Sequence, residues 1–244
     1  MSDYIKYEVR VYKNGKEWYL NGKYHREDGP AREYADGTKY WYLNGQLHRI
    51  DGPAIEFASG DKIWYKNGKY HREDGPALEY TDGSKIWYKN GEYHREDGPA
   101  IEYSNGDKYW YKEDKLHREN GPAVEHASGD KEWFLNGECH REDGPAYECA
   151  DGAKYWYLNG KNHREDGPAV EYANGSKYWY KEGKLHRIDG PAVEHSNGNK
   201  YWYLNNKNYT EADFNKEIAK KSKSPCEGKI VEIDGKKYTL TSVN

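Results

Sequence analysis

Large aromatic residues, turn residues and charged residues recur along this chain on one clock. Trp stands at 18, 41, 64, 87, 110, 133, 156, 179 and 202 and nowhere else, always 23 residues apart. His at 25, 48, 71, 94, 117, 140, 163 and 186 keeps the same interval, as does Pro at 30, 53, 76, 99, 122, 145, 168 and 191. A fixed period of this length is the mark of a repeat architecture, in which each unit buries its apolar face on its neighbours. Eight units follow one another without insertion or deletion, and a typical one runs HREDGPALEYTDGSKIWYKNGEY from His71 to Tyr93. Every unit keeps His-Arg, Gly-Pro-Ala, a Glu two residues after that Ala, a turn Gly, a Lys two residues before Trp, and Trp itself; the Asp before Gly-Pro becomes Asn120 once.

Within a unit the pattern reads as β. In PAREYADGTKYWYLN, from Pro30 to Asn44, strand-forming Tyr and Trp flank Asp36-Gly37, a hairpin signal. A two-residue turn would pair Tyr34 with Lys39. A three-residue turn with Gly37 left-handed instead sets Glu33 opposite Lys39 and Ala31 opposite Trp41, and this register is expected because it makes a cross-strand ion pair of about 0.2–1 kcal/mol. It sorts Ala31, Glu33, Lys39 and Trp41 onto one face, and position 32 with Tyr34, Tyr40 and Tyr42 onto the other. The segment from Asn44 to Gly52 reads as a link with turn points at Asn44-Gly45 and Asp51-Gly52, ended by Pro53. Glu113-Asp114 and Asn205-Asn206 depart from the first of these turns.

A lone hairpin is unstable in water, so the hairpins must stack. The expected fold is all-β: an elongated array of stacked antiparallel β-hairpins, eight 23-residue repeats advancing by roughly 10 Å each, with a short C-terminal helix and a terminal hairpin. Residues 1–24 form an N-terminal capping hairpin, 25–206 the array and 207–244 the C-terminal cap. Thr210 is the predicted N-cap, with Asp213 three residues on, Phe214 and Ile218 on one helical face, and Lys220 and Lys221 at the C-terminal end. The last hairpin turns at Asp234-Gly235.

Composition removes several alternatives. Leu, Ile, Val and Phe together make only 30 of 244 residues, but 26 Tyr and 9 Trp and a net charge of −4 exclude a disordered chain. No apolar run approaches the ~20 residues of a membrane-spanning helix, and the first residues lack an apolar signal region. Three Cys in 244 residues form no disulfide framework, so a reducing, cytoplasmic setting is expected. The acidic balance argues against a nucleic-acid partner.

The stretch KYWYLNGKNHREDGPA, from Lys154 to Ala169, resembles a variant of the MORN repeat, which is also 23 residues long and shares the Tyr/Trp strand, the N-G-K-x-H link and the D-G-x-K turn. The W-Y-x-N-G-x-x-H-R-x-D-G-P-A form is similar to proteins of large phages and giant viruses. The resemblance covers about residues 4–206. It implies a stack of hairpins serving as a scaffold or protein-binding surface, and a viral inhibitor of a host defence protein, acting in the host cytoplasm.

The regularity itself argues against catalysis, which needs unlike residues with unequal pKa values at one place. One His per repeat does not converge as zinc requires. No catalytic, cofactor-binding or metal-binding residues are assigned, and no cofactor is expected. Cys139, Cys149 and Cys226 read as packing residues. His and Arg of the link read as structural, bonding link carbonyls and the neighbouring Asp, and the Trp row as core between hairpins. Specificity must come from what varies: the position-32 equivalents, His126 and His195, Glu132, and the link residues Ile50, Ile188, Cys139 and Asn162. The candidate binding surface comprises Arg49, Arg72, Arg95, Arg118, Arg141, Trp64, Trp87, Trp110, Glu132 and Phe214. The expected partner is a protein, with homo-oligomerisation left open and no membrane; a small or anionic ligand on the aromatic face or the His-Arg edge is the alternative.

Overall fold

The computed structural model describes residues 6–222, 230–234 and 236–239. The chain divides into two compact units, the first made of residues 1–141 with 146–150, the second of 142–145 with 151–244.

The first unit begins with β1 (Glu8–Tyr12) and β2 (Gly15–Leu20), joined through Lys13 and Asn14 so that Tyr12 pairs with Gly15. It continues through β3 (Lys23–Tyr24), β4 (Arg32–Tyr34), β5 (Lys39–Tyr40), β6 (Tyr42–Leu43) and β7 (Gln46–Leu47). From there each 23-residue step repeats the last four strands. β4 and β5 form the expected hairpin: Glu33 lies opposite Lys39, and Gly37 occupies the left-handed region at φ 97°. The three-residue turn recurs at Glu79–Lys85 and Glu102–Lys108.

The ladder then crosses to the next repeat, Lys39 pairing with Glu56 and Tyr40 with Ile55. From Lys39 to Lys131 each Lys therefore stands between two Glu residues on one face, as Lys39 does between Glu33 and Glu56 and Lys131 between Glu125 and Glu148. The other face carries a row through Tyr40, Ile55, Ile63, Leu78, Ile86, Ile101, Tyr109 and Val124. Trp41 is hydrogen-bonded across the ladder to the following repeat, not to Ala31: its amide donates to the Ala54 carbonyl at 2.8 Å, and Trp64 and Trp87 do the same to Ala77 and Ala100 at 2.7 Å.

The supposed link is itself a second hairpin. Tyr42 pairs with Leu47 and Leu43 with Gln46 around Asn44-Gly45, whose φ values of 53° and 83° make the left-handed two-residue turn that Asn-Gly favours. These second hairpins form their own row, each turn amide donating to the preceding repeat, as Gly68 does to Leu47 and Gly91 to Tyr70, both at 2.9 Å. Glu113-Asp114 keeps the same turn and gains a bond, because Asp114 Oδ1 accepts the Tyr93 amide at 2.7 Å.

The core lies between the two rows. Ala77, Leu78, Ile86 and Ile101 are buried, and Tyr70, Tyr88, Tyr93 and Tyr111 of the second hairpins pack on them. Those tyrosines stack in sequence, Tyr65–Tyr70–Tyr88–Tyr93–Tyr111, with centroids 4.4–5.0 Å apart. Every Trp is only partly buried. The fully enclosed residue of each repeat is the Ala of Gly-Pro-Ala, 0% exposed at 31, 54, 77, 100, 123 and 146. The expected tryptophan core is thus an alanine, aliphatic and tyrosine core with Trp at its margin.

The second unit repeats this plan from Lys154 to Leu204, and its Lys200–Leu204 strand pairs with Val193–Glu194 and with Lys207–Tyr209. Helix α1 (Glu211–Ser222) follows. Thr210 caps it as expected, its Oγ1 accepting the Asp213 amide at 3.2 Å and donating to Asp213 Oδ2 at 2.9 Å. Phe214 is 3% exposed against the last repeat. A final hairpin pairs Ile230–Ile233 with Lys236–Thr239. Among the described residues, no helix is long and apolar enough to cross a membrane.

Candidate functional site

The chemistry-bearing residues of the repeat meet where the second hairpin returns to the first. Arg95 shows how. Its guanidinium lies 4.0 Å from the Trp87 ring centroid, Nη1 donates to the Pro99 carbonyl at 3.2 Å and to Glu102 Oε1 at 2.9 Å, and Nε donates to Asp97 Oδ1 at 2.9 Å. The guanidinium is planar and has donors on several edges, so it can stack and make these bonds together; an ammonium cannot. The backbone is shaped for it. A Cβ on Gly98 would come within 2.8 Å of Arg95 Cζ, so Gly keeps the loop open for the arginine, Pro99 offers the carbonyl, and Ala100 fits a site with no exposed surface.

The arrangement recurs at Arg26, Arg49, Arg72, Arg118, Arg141, Arg164 and Arg187, each 3.9–4.2 Å over the Trp eight residues before it and 2.7–3.1 Å from the Glu seven residues after it. The Arg bond holds the carboxyl groups of Asp28, Asp74, Asp97, Asp166 and Asp189 below the usual carboxylate range. The link His also faces inward. Nδ1 of His48, His71 and His117 accepts the amide of Asn67, Asn90 and Asn136 at 3.1 Å, tying each link to the next repeat's second turn. An imidazole accepts at Nδ1 only when that nitrogen carries no proton.

A further set of repeat-to-repeat bonds comes from the residue after the first turn. Asp61 Oδ1 accepts the Thr81 amide at 2.7 Å, Asp107 that of Ala127 at 2.7 Å, and Ser84 Oγ that of Ser104 at 3.0 Å. Sequence reasoning passed over this position, though its signal is visible: it holds Thr, Asp, Ser or Asn in every repeat except at Ala153.

Between successive links lie open clefts. One of about 1020 Å³ is lined by Arg72, Glu73, Asp74, Trp87, Lys89 and His94. Its neighbours, of about 680 and 650 Å³, are built from Arg49, Trp64 and His71 and from Arg95, Trp110 and His117. Their rims carry the carboxylates of Glu73 and Glu96, 77% and 82% exposed.

Arg49, Arg72, Arg95, Arg118 and Arg141 thus form no free cationic stripe; each is consumed by its Trp and Glu. Trp64, Trp87 and Trp110 show one face to an arginine. Phe214 is enclosed and presents no ring to a partner, which removes it from the candidate surface. Glu132 stands in the apolar row where Ile63, Ile86 and Tyr109 stand elsewhere, its Oε1 3.2 Å from His126 Nε2, and His126 Nδ1 is 3.8 Å from Asp107. Burial, with the Glu132 charge adding to it, pushes the Cys139 thiol up to about 12, which leaves little thiolate at neutral pH. Cys226 lies outside the described residues. Among the described residues no three His, Cys, Asp or Glu are grouped to hold a metal ion. Among the large apolar side chains at varied positions of the repeats, the exposed ones are Ile50 at 85% and Tyr80 and Tyr103 at about 40% in the first unit, and Ile188 at 63% with Tyr172 and Tyr201 at about 40% in the second. No protein-family model matches the chain, and no curated protein matches it.

Proposed function

We propose that this chain is a non-enzymatic binding scaffold, a variant MORN-type array whose constant residues build the framework and whose varied residues select a protein partner. The observation that carries this is the inward use of the constant polar groups. The link Arg, the strand Glu and most of the link His bond one repeat to itself or to the next. Two exposed link positions change: Ile50 and Ile188 replace the Glu found at this place in the other links. The arginines are already paired, which weighs against an anion held along the His-Arg edge. The resemblance to proteins of large phages and giant viruses points to a partner in the host cytoplasm and to inhibition of a host defence protein.

The test is capture of the partner from host lysate with the full chain, followed by calorimetry with the purified partner. Ile50→Glu and Ile188→Glu should melt like wild type, and at least one should bind tenfold or more weakly. Arg95→Met should lower the melting temperature with little change in affinity. If both isoleucine variants bind as wild type while the folded arginine variant loses binding, recognition lies in the constant residues and the reading fails.

A further inference from the structure

We propose that the open edge of β1 is a self-association surface, which takes β1 of a second copy of this chain, antiparallel, with Val9 opposite Val9. Among the described residues β1 pairs with β2 alone, and all five of its residues are exposed, Val9 at 48% and Val11 at 69%. In the second unit the last long strand, Lys200–Leu204, has Lys207–Tyr209 paired along part of it and α1 packed against it. β1 has no such cover among the described residues.

The backbone of β1 is oriented to pair outward. Val9 lies directly opposite Trp18, whose amide donates away from β1 to the Ala31 carbonyl at 2.8 Å. Residues directly opposite in an antiparallel pair either exchange both hydrogen bonds or neither. Val9 therefore turns its N–H and C=O to the open edge, and by the two-residue period so do Tyr7 and Val11, while Glu8, Arg10 and Tyr12 turn theirs to β2.

Charge then selects the register. Val9 opposite Val11 would set Arg10 against Arg10. Val11 opposite Val11 would leave Glu8 facing Asn14 at the turn. Val9 opposite Val9 sets Glu8 of each copy against Arg10 of the other, at the non-hydrogen-bonded positions where side chains approach most closely, and Tyr7 against Val11. Opposite charges there favour pairing and like charges oppose it. Glu8 and Arg10 already bond along the strand at 2.8 Å, so a second copy extends that pair into an alternating set of four charges. Exposed edges are usually guarded by charges that repel a second strand; one residue of each sign, two positions apart, is instead self-complementary about a twofold axis.

The test is sedimentation velocity on the full chain, tagged at the C-terminus, over about a hundredfold range of concentration. Wild type should pass from monomer to dimer. Val9→Pro removes the outward N–H but no hydrogen bond to β2, so it should stay monomeric throughout with unchanged circular dichroism. Arg10→Glu should also be monomeric, and Glu8→Arg with Arg10→Glu in one chain should restore the dimer, which decides the matter even if the proline variant misfolds. A wild type monomeric at every concentration, as when residues 1–5 of the same chain cover the edge, overturns the proposal. So does a folded Val9→Pro that dimerises like wild type, or a double charge variant no better than the single one.

Discussion

At the scale of the residue, the repeat is organised by arginine. Arg95 holds a ring, a main-chain carbonyl and two carboxylates at once, and the surrounding Gly, Pro and Ala are the backbone shape that lets it do so. Arg95→Met keeps the apolar stem over Trp87 but loses the charged bonds, and should cost about 1.5–3 kcal/mol in denaturant unfolding. Arg95→Lys should recover little of it, because a point charge cannot stack and bond in several directions; full recovery would show that charge alone matters. The same network sets the acid limb. Asp74 and Asp97 are held low by Arg, and Asp61 and Asp107 chiefly by the amide of the next repeat. A carboxyl group whose folded pKa lies below its unfolded value stabilises above the unfolded value, and that contribution is lost as pH falls through the folded one. The melting temperature should therefore hold from neutral pH to the ordinary carboxylate range near 4 and fall below it. A melting temperature that rises on acidification there would contradict this linkage.

At the scale of the element, each repeat is two hairpins with different turns. Asn90 sits at φ 56° in the tight turn of the second hairpin. Asn90→Ala should cost about 1–2 kcal/mol for a side chain forced left-handed, and Asn90→Gly much less; equal losses would mean the Asn side chain, not its backbone, is what matters. The tyrosine stack in this row sets the alkaline limb. Burial first, then the hydrogen bond with Tyr93, holds the Tyr88 hydroxyl above the usual phenol range. With the folded value raised above the unfolded one, its contribution is complete below about pH 10 and is lost as pH rises toward the folded value. Ultraviolet titration should show a set of phenolates that appears only with the loss of β-structure. Ionisation of all 26 tyrosines near pH 10 with the fold intact would contradict the stack.

At the scale of the whole molecule, every repeat-to-repeat bond described joins immediate neighbours. In such arrays stability is a sum of repeats and nearest-neighbour interfaces. Deleting residues 71–93, one full period, should leave a folded protein with the spectrum of wild type and a lower melting temperature. Deleting half a period from the same place should abolish the fold, because it breaks the succession of the two hairpins and puts Glu and Lys onto the apolar row. The cap differs in kind: Phe214→Ala leaves a cavity under α1 and should cost about 3–5 kcal/mol, with the loss confined to the second unit in hydrogen exchange.

The strongest sequence signals survive in the structure because they are local. The 23-residue clock, the three-residue turn and the opposition of Glu79 and Lys85 depend on turn chemistry and on a period of two, both written in consecutive residues. Thr210 and Asp213 announce the helix for the same reason. Tertiary structure decided what the constant residues face. Trp87 is a good strand residue wherever it points, and nothing in its neighbours says that Arg95 covers it or that its amide bonds to Ala100 of the next repeat. The second hairpin read as a link because its two-residue strands are too short to show alternation. They hold only because the turn amide of one meets a carbonyl of the one before it, as Gly91 meets Tyr70. The core encloses Ala77, Leu78, Ile86 and Ile101 with the tyrosines packed on them, while Trp64 lies at its margin with Arg72 stacked on its ring. That division comes from how residues of successive repeats, from Ile63 to Tyr111, meet in one cluster, which no single repeat contains.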